Sequence, residues 1–180
     1  MRFVAPALMA GNGIFIKHAP NTMGCSVAIA DLLVRAGVPE DLVQHTPLAV
    51  KDVESVIANP AVAAVTFTGS TAGGRKVAEI CGRYGKPSVL ELGGSDPFIV
   101  LEDANLDAAA DAAVASRLLN AGQSCIAAKR IIVCAAVADD FLACLRLRLD
   151  ALVVGDPCDE NVTVGPMARA DLRSQLHEQV

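Results

Sequence analysis

Aromatic residues are scarce in this chain: they make up 3% of it, with one Tyr and no Trp. Its 53% hydrophobic content is therefore mostly Ala, Val, Leu and Ile, side chains suited to packing helices on sheets. A surplus of basic charge is missing too. With 15 Lys and Arg against 20 Asp and Glu, the net charge of −5 leaves no basic stripe, so neither nucleic acid nor an anionic membrane is an expected partner. No apolar run approaches the roughly 18–20 residues that cross a bilayer. Pro6 and Gly11 interrupt the stretch that a signal peptide would need. A soluble, cytoplasmic protein is expected. The six cysteines, at 25, 81, 125, 134, 144 and 158, form no CxxC pair and no Cys/His metal spacing. Reduced thiols and no metal site follow.

Short β-forming runs alternate with helical periodicity. Strands are expected at residues 13–17, 42–45, 63–68, 88–92, 98–101 and 130–133. Helices are expected at 22–36, 51–58, 75–83, 106–120, 138–152 and from 168 onward. This order predicts an α/β fold: a Rossmann-like parallel sheet with helices on both faces, plus part of a second α/β domain. The Gly93-Gly94 pair marks the junction between residues 1–93 and 94–180.

Three segments carry candidate chemistry. In Thr66-Phe67-Thr68-Gly69-Ser70-Thr71-Ala72-Gly73-Gly74, a strand runs into a helix whose N–H groups suit a pyrophosphate. The same residues also read as a plain Ser/Thr helix cap. In Leu90-Glu91-Leu92-Gly93-Gly94, a carboxylate ends a strand where ligands bind in open α/β sheets; a solvated strand-end charge is the alternative. In Asn120-Ala121-Gly122-Gln123-Ser124-Cys125, a thiol follows a helix end, with Lys129 and Arg130 near enough in sequence to favour thiolate. Most free cysteines are inert core residues, and Cys25, Cys81 and Cys144 read that way, each on a helix among apolar neighbours. Cys158 reads as an exposed loop thiol.

Together and in this order, Phe67-Thr68-Gly69-Ser70-Thr71, Glu91-Leu92-Gly93-Gly94 and Gly122-Gln123-Ser124-Cys125 resemble the aldehyde dehydrogenase superfamily. So do the 34-residue step from Glu91 to Cys125, the run Pro6-Ala7-Leu8-Met9-Ala10-Gly11-Asn12, Lys17, and Gly165-Pro166-Met167. The runs 93–100 and 124–130 are most similar to succinate-semialdehyde dehydrogenases. The resemblance implies Cys125 as the nucleophile and Glu91 as the general base that hydrolyses a thioester. It implies an NAD(P)-binding domain within 1–93 and a catalytic domain within 94–180, with Lys17, Gly69, Ser70 and Leu92 at the cofactor. Lys17 is followed by His18-Ala19-Pro20-Asn21, without the carboxylate that would repel a 2′-phosphate. NADP is therefore expected over NAD.

The implied substrate is a small aldehyde, and the parent enzyme a homo-oligomer. The family's oxyanion Asn lies upstream of the stretch seen here, and its Glu-x-Phe-Gly-Pro segment downstream of Val180. The chain accordingly reads as a central piece with little activity by itself. A truncated subunit that acts only by binding other subunits remains the alternative.

Overall fold

Each strand in the described residues pairs in parallel with a partner, and a helix of 13 residues joins the two. The computed structural model describes residues 2–179. Helix α1 (Val4–Met9) precedes a first βαβ unit of β1 (Ile14–Ile16), α2 (Met23–Arg35) and β2 (Val43–His45). Helix α3 (Val53–Ala58) leads to a second, β3 (Val65–Thr68), α4 (Thr71–Arg83) and β4 (Ser88–Glu91). The third is β5 (Asp96–Val100), α5 (Leu106–Leu118) and β6 (Ala128–Val133), followed by α6 (Ala138–Asp150) and α7 (Ala170–His177). A helix of this length spans about 20 Å, enough to carry the chain back so that the next strand runs parallel to the last. The expected parallel α/β character is present. The strands are grouped, however, as three two-stranded sheets rather than one continuous sheet.

The chain divides into two compact units, one ending at Leu92 and one starting at Gly93. In the first, Ile57 of α3 and Val77, Ile80 and Cys81 of α4 form a core against Val65, Phe67 and Leu90 of β3 and β4. In the second, Ala110 and Ala113 of α5 and Phe141 of α6 enclose Val100 of β5, with Phe98 and Val133 beside it. The two alanines allow α5 to lie close to its sheet. The opposite face of β5 and β6 is bare, with Ile99 62% and Ile132 50% exposed at paired positions.

Helix ends follow local chemistry. Helices α1, α2 and α4 end on Gly11, Gly37 and Gly85, all at positive φ (81°, 96° and 62°). Each glycine N–H bonds the carbonyl three residues back, and the next N–H bonds five back, closing the last turn. The first helix was not anticipated. Pro6 is its third residue, in the first turn, where a missing N–H costs nothing. Helix α4 starts at Thr71, four residues before the expected start. Ser70 caps it by accepting from the Gly73 N–H at 3.1 Å, which offsets part of the cost of two glycines in its first turn. Asn105 caps α5 in the same way through Ala108.

Cys81 is buried, Cys144 half-buried and Cys158 exposed. Burial pushes the Cys81 thiol up, partly opposed by Lys86, so Cys81 is held as an unreactive thiol. Cys25 corrects the expectation: it is exposed, because α2 buries the stripe through Ser26 and Ala30 instead. Among the described residues no helix is long and apolar enough to cross a membrane, and no group of three potential ligands that would hold a metal ion occurs.

Candidate active site

The strand-to-helix turn and the carboxylate motif, separate in sequence, meet at the same edge of one sheet. Thr68 and Glu91 are register partners at the C-terminal ends of β3 and β4. The Gly69 N–H then donates to the Glu91 carbonyl at 3.0 Å. Leu92 continues β4 and packs on α4, where a Cβ at Gly74 would fall 2.3 Å from its Cδ2. Gly69, Ser70, Glu91 and Leu92 are thus brought together. A Cβ at Gly69 or Gly73 would meet the Phe67 ring at 2.6 or 2.9 Å, so these glycines make room for a core side chain. At the start of α4 the Thr71 and Ala72 N–H groups precede any intrahelical acceptor. The Glu91 carboxylate pairs with Arg2 at 3.0 Å and is 37% exposed.

Lys17 follows β1, and its ammonium turns back onto the His18 carbonyl at 3.1 Å. His18 Nδ1 is enclosed without a hydrogen-bond partner. Pro20 opens a short 3-10 turn, Pro20–Thr22, that feeds α2.

In the second unit Cys125 is exposed on a loop fixed from several sides. Asn120 and Ala121 both have φ 54°, and Gly122 has φ 76°. For Ala121 this left-handed backbone costs about 1–2 kcal/mol, so neighbouring contacts must hold it. Arg117 donates to the Gly122 carbonyl at 2.9 Å and to the Ala128 carbonyl at 3.0 Å. Ser116 Oγ accepts from the Ala128 N–H at 3.1 Å. The Gln123 amide donates to the Asn120 carbonyl and accepts from the Ala168 N–H, tying the loop to the Gly165-Pro166-Met167 segment. Gly94 lies against the loop's backbone, where a Cβ would stand 2.8 Å from the Cys125 carbonyl oxygen.

Lys129 and Arg130, expected beside the thiol as charges, spend their hydrogen bonds on main-chain carbonyls. Lys129 bonds Ser124 and Cys125 at 3.0 and 3.2 Å, and Arg130 bonds Ser95 at 3.0 Å. Sequence reasoning missed Arg2, Ser116 and Arg117. None lies in a glycine-bearing motif, and only Gly122, five residues after Arg117, hints that something approaches the backbone there.

The sequence profile of the aldehyde dehydrogenase family matches residues 1–180. The chain belongs to that family. It is 49% identical over its full length to the NADP(+) succinate-semialdehyde dehydrogenase of Mycobacterium leprae (strain TN), and spans 39% of that relative. Among solved structures, the succinic semialdehyde dehydrogenase of Streptococcus pyogenes in complex with NADP+ superposes with a TM-score of 0.94 at 34% identity; 99% of this chain and 39% of that one are covered. An NAD-dependent benzaldehyde dehydrogenase from Corynebacterium glutamicum superposes with a TM-score of 0.89 at 38% identity, covering 98% and 39%. Relatives of different cofactor and aldehyde therefore share this segment's fold. The chain spans about 39% of the length of the curated relatives it matches.

Proposed function

We propose that the whole enzyme containing this segment oxidises an aldehyde, succinate semialdehyde first, to its carboxylic acid with NADP. It does so as a cytoplasmic homo-oligomer. The observation that carries the reading is the exposed Cys125 thiol on a loop whose main chain is pinned at Gly122, Ser124, Cys125 and Ala128. An accessible thiol on a loop with a fixed main chain is suited to attack on a carbonyl. The 49% identity to an enzyme named for succinate semialdehyde and NADP(+) supports the choice of substrate and cofactor.

The residues present fit a dinucleotide. The start of α4 offers free N–H groups for phosphate oxygens, and the enclosed His18 Nδ1 beside Lys17 lacks a partner. No carboxylate stands at positions 18–21 to repel a 2′-phosphate. Bound there, NADP supplies the hydride acceptor. Cys125 sulfur, as thiolate, adds to the aldehyde carbon to give a thiohemiacetal. Loss of hydride from that carbon leaves a thioester on Cys125. Glu91 takes a proton from water as the water adds to the thioester carbon; the C–S bond then breaks, giving the acid and restoring the thiolate.

The test compares kcat/KM for NADP and NAD, with succinate semialdehyde and benzaldehyde, in the whole enzyme at one ionic strength. The expected result is preference for NADP and for succinate semialdehyde. A tenfold preference for NAD would overturn the cofactor reading, and a tenfold preference for benzaldehyde the substrate reading.

A further inference from the structure

The loop that carries Cys125 is closed from within by one side chain. Arg117, in the last turn of α5, places Nη2 on the Gly122 carbonyl and Nη1 on the Ala128 carbonyl. These two carbonyls bracket Cys125, three residues before it and three after. The guanidinium fork is planar and rigid, so both contacts fix the width of the loop at its base. Gly122 leaves the space this requires, since a Cβ there would stand 2.7 Å from Nη2. Ser116, from the same turn, holds the Ala128 N–H, so adjacent residues of α5 grip both polar groups of one peptide position. The geometry points to Arg117 as a positioning residue for the Cys125 thiol, acting through the main chain of residues 122–128. This rests on the reading of Cys125 as nucleophile.

In the whole enzyme, Cys125 and Cys158 are alkylated with iodoacetamide and followed as separate peptides by mass spectrometry. Cys158, exposed on another loop, is the internal reference. Arg117→Met is expected to change the Cys125-to-Cys158 rate ratio at least threefold. It should also lower kcat for aldehyde oxidation at least tenfold, with KM for the cofactor within twofold. Arg117→Lys keeps the charge without the fork and should fall between; it provides the readout if the Met variant does not melt cooperatively. A ratio and a kcat both within twofold of wild type, in the variant that folds, overturn the proposal. Turnover surviving in Cys125→Ser defeats the nucleophile reading instead, while the alkylation ratio still judges Arg117's hold on the loop.

Discussion

Arg2 Nη1 lies 3.0 Å from Glu91 Oε1, which joins a residue two positions before α1 to the last residue of β4. The arginine is 69% exposed and the carboxylate 37%, so water competes for both. Exposed pairs of this kind are worth about 0–1 kcal/mol. Arg2→Met should therefore lower the unfolding free energy, read from urea titration, by no more than that amount. A larger loss would mean that Arg2 holds α1 in place through more than its charge.

Ser70 separates stability from cofactor binding. Ser70→Ala removes the acceptor for the Gly73 N–H and should cost about 1 kcal/mol, read from the midpoint of denaturant unfolding. Ser70→Asp keeps a capping acceptor and a favourable charge at the helix start, so stability should be near wild type. The same carboxylate faces the proposed phosphate, and KM for NADP should rise at least tenfold. Equal KM values in the two variants would place the phosphates away from this turn.

Adjacent glycines should respond differently. A Cβ at Gly94 meets the main-chain oxygen of Cys125 at 2.8 Å, whereas one at Gly93 has nothing within 4 Å. Backbone cannot turn aside as a side chain can, so Gly94→Ala should destabilise by about 1–3 kcal/mol and cut aldehyde oxidation at least tenfold. Gly93→Ala should stay within twofold on activity. Equivalent activities in the two variants would show that Gly94's close approach does not set the loop.

The acid limb of stability has a named contributor. Hydrogen bonding from Arg148 on α6, at 2.7 Å, holds the Asp111 carboxyl on α5 below its usual range, with desolvation opposing it and the Arg148 charge adding to it. A lowered folded value means that the contribution is complete above the ordinary range, near pH 4, and fades as pH falls through the lowered value. The gap in urea midpoint between wild type and Asp111→Asn should be constant from about pH 8 to 5 and narrow below about pH 4. A gap that widens in acid would contradict the sign.

The sequence made the α/β order and the three motifs legible, because strand composition, glycine stops and local caps act over a few residues. Gly37 closes α2 directly after residue 36, the expected end, and Asn105 caps α5. Pairing beyond two strands is a non-local property, and alternation alone did not reveal that β1–β2 and β3–β4 form separate sheets. Short-range pattern also hid the Ser70 cap's strength, which carries α4 through Gly73 and Gly74. Arg117 and Arg2 were out of reach for a different reason. Their partners are main-chain carbonyls or a residue far along the chain, and apart from Gly122 neither leaves a mark in spacing.

The most direct test of Cys125 and Glu91 dividing the chemistry is to trap the thioester. Whole enzyme carrying Glu91→Gln is mixed with succinate semialdehyde and NADP, quenched in acid, digested, and the peptides weighed. The expected outcome is a stoichiometric burst of NADPH, a slow steady state at least a hundredfold below wild type, and a succinyl mass added at Cys125. Wild-type turnover in this variant, or an acyl mass on another cysteine with Cys125 unmodified, would contradict it.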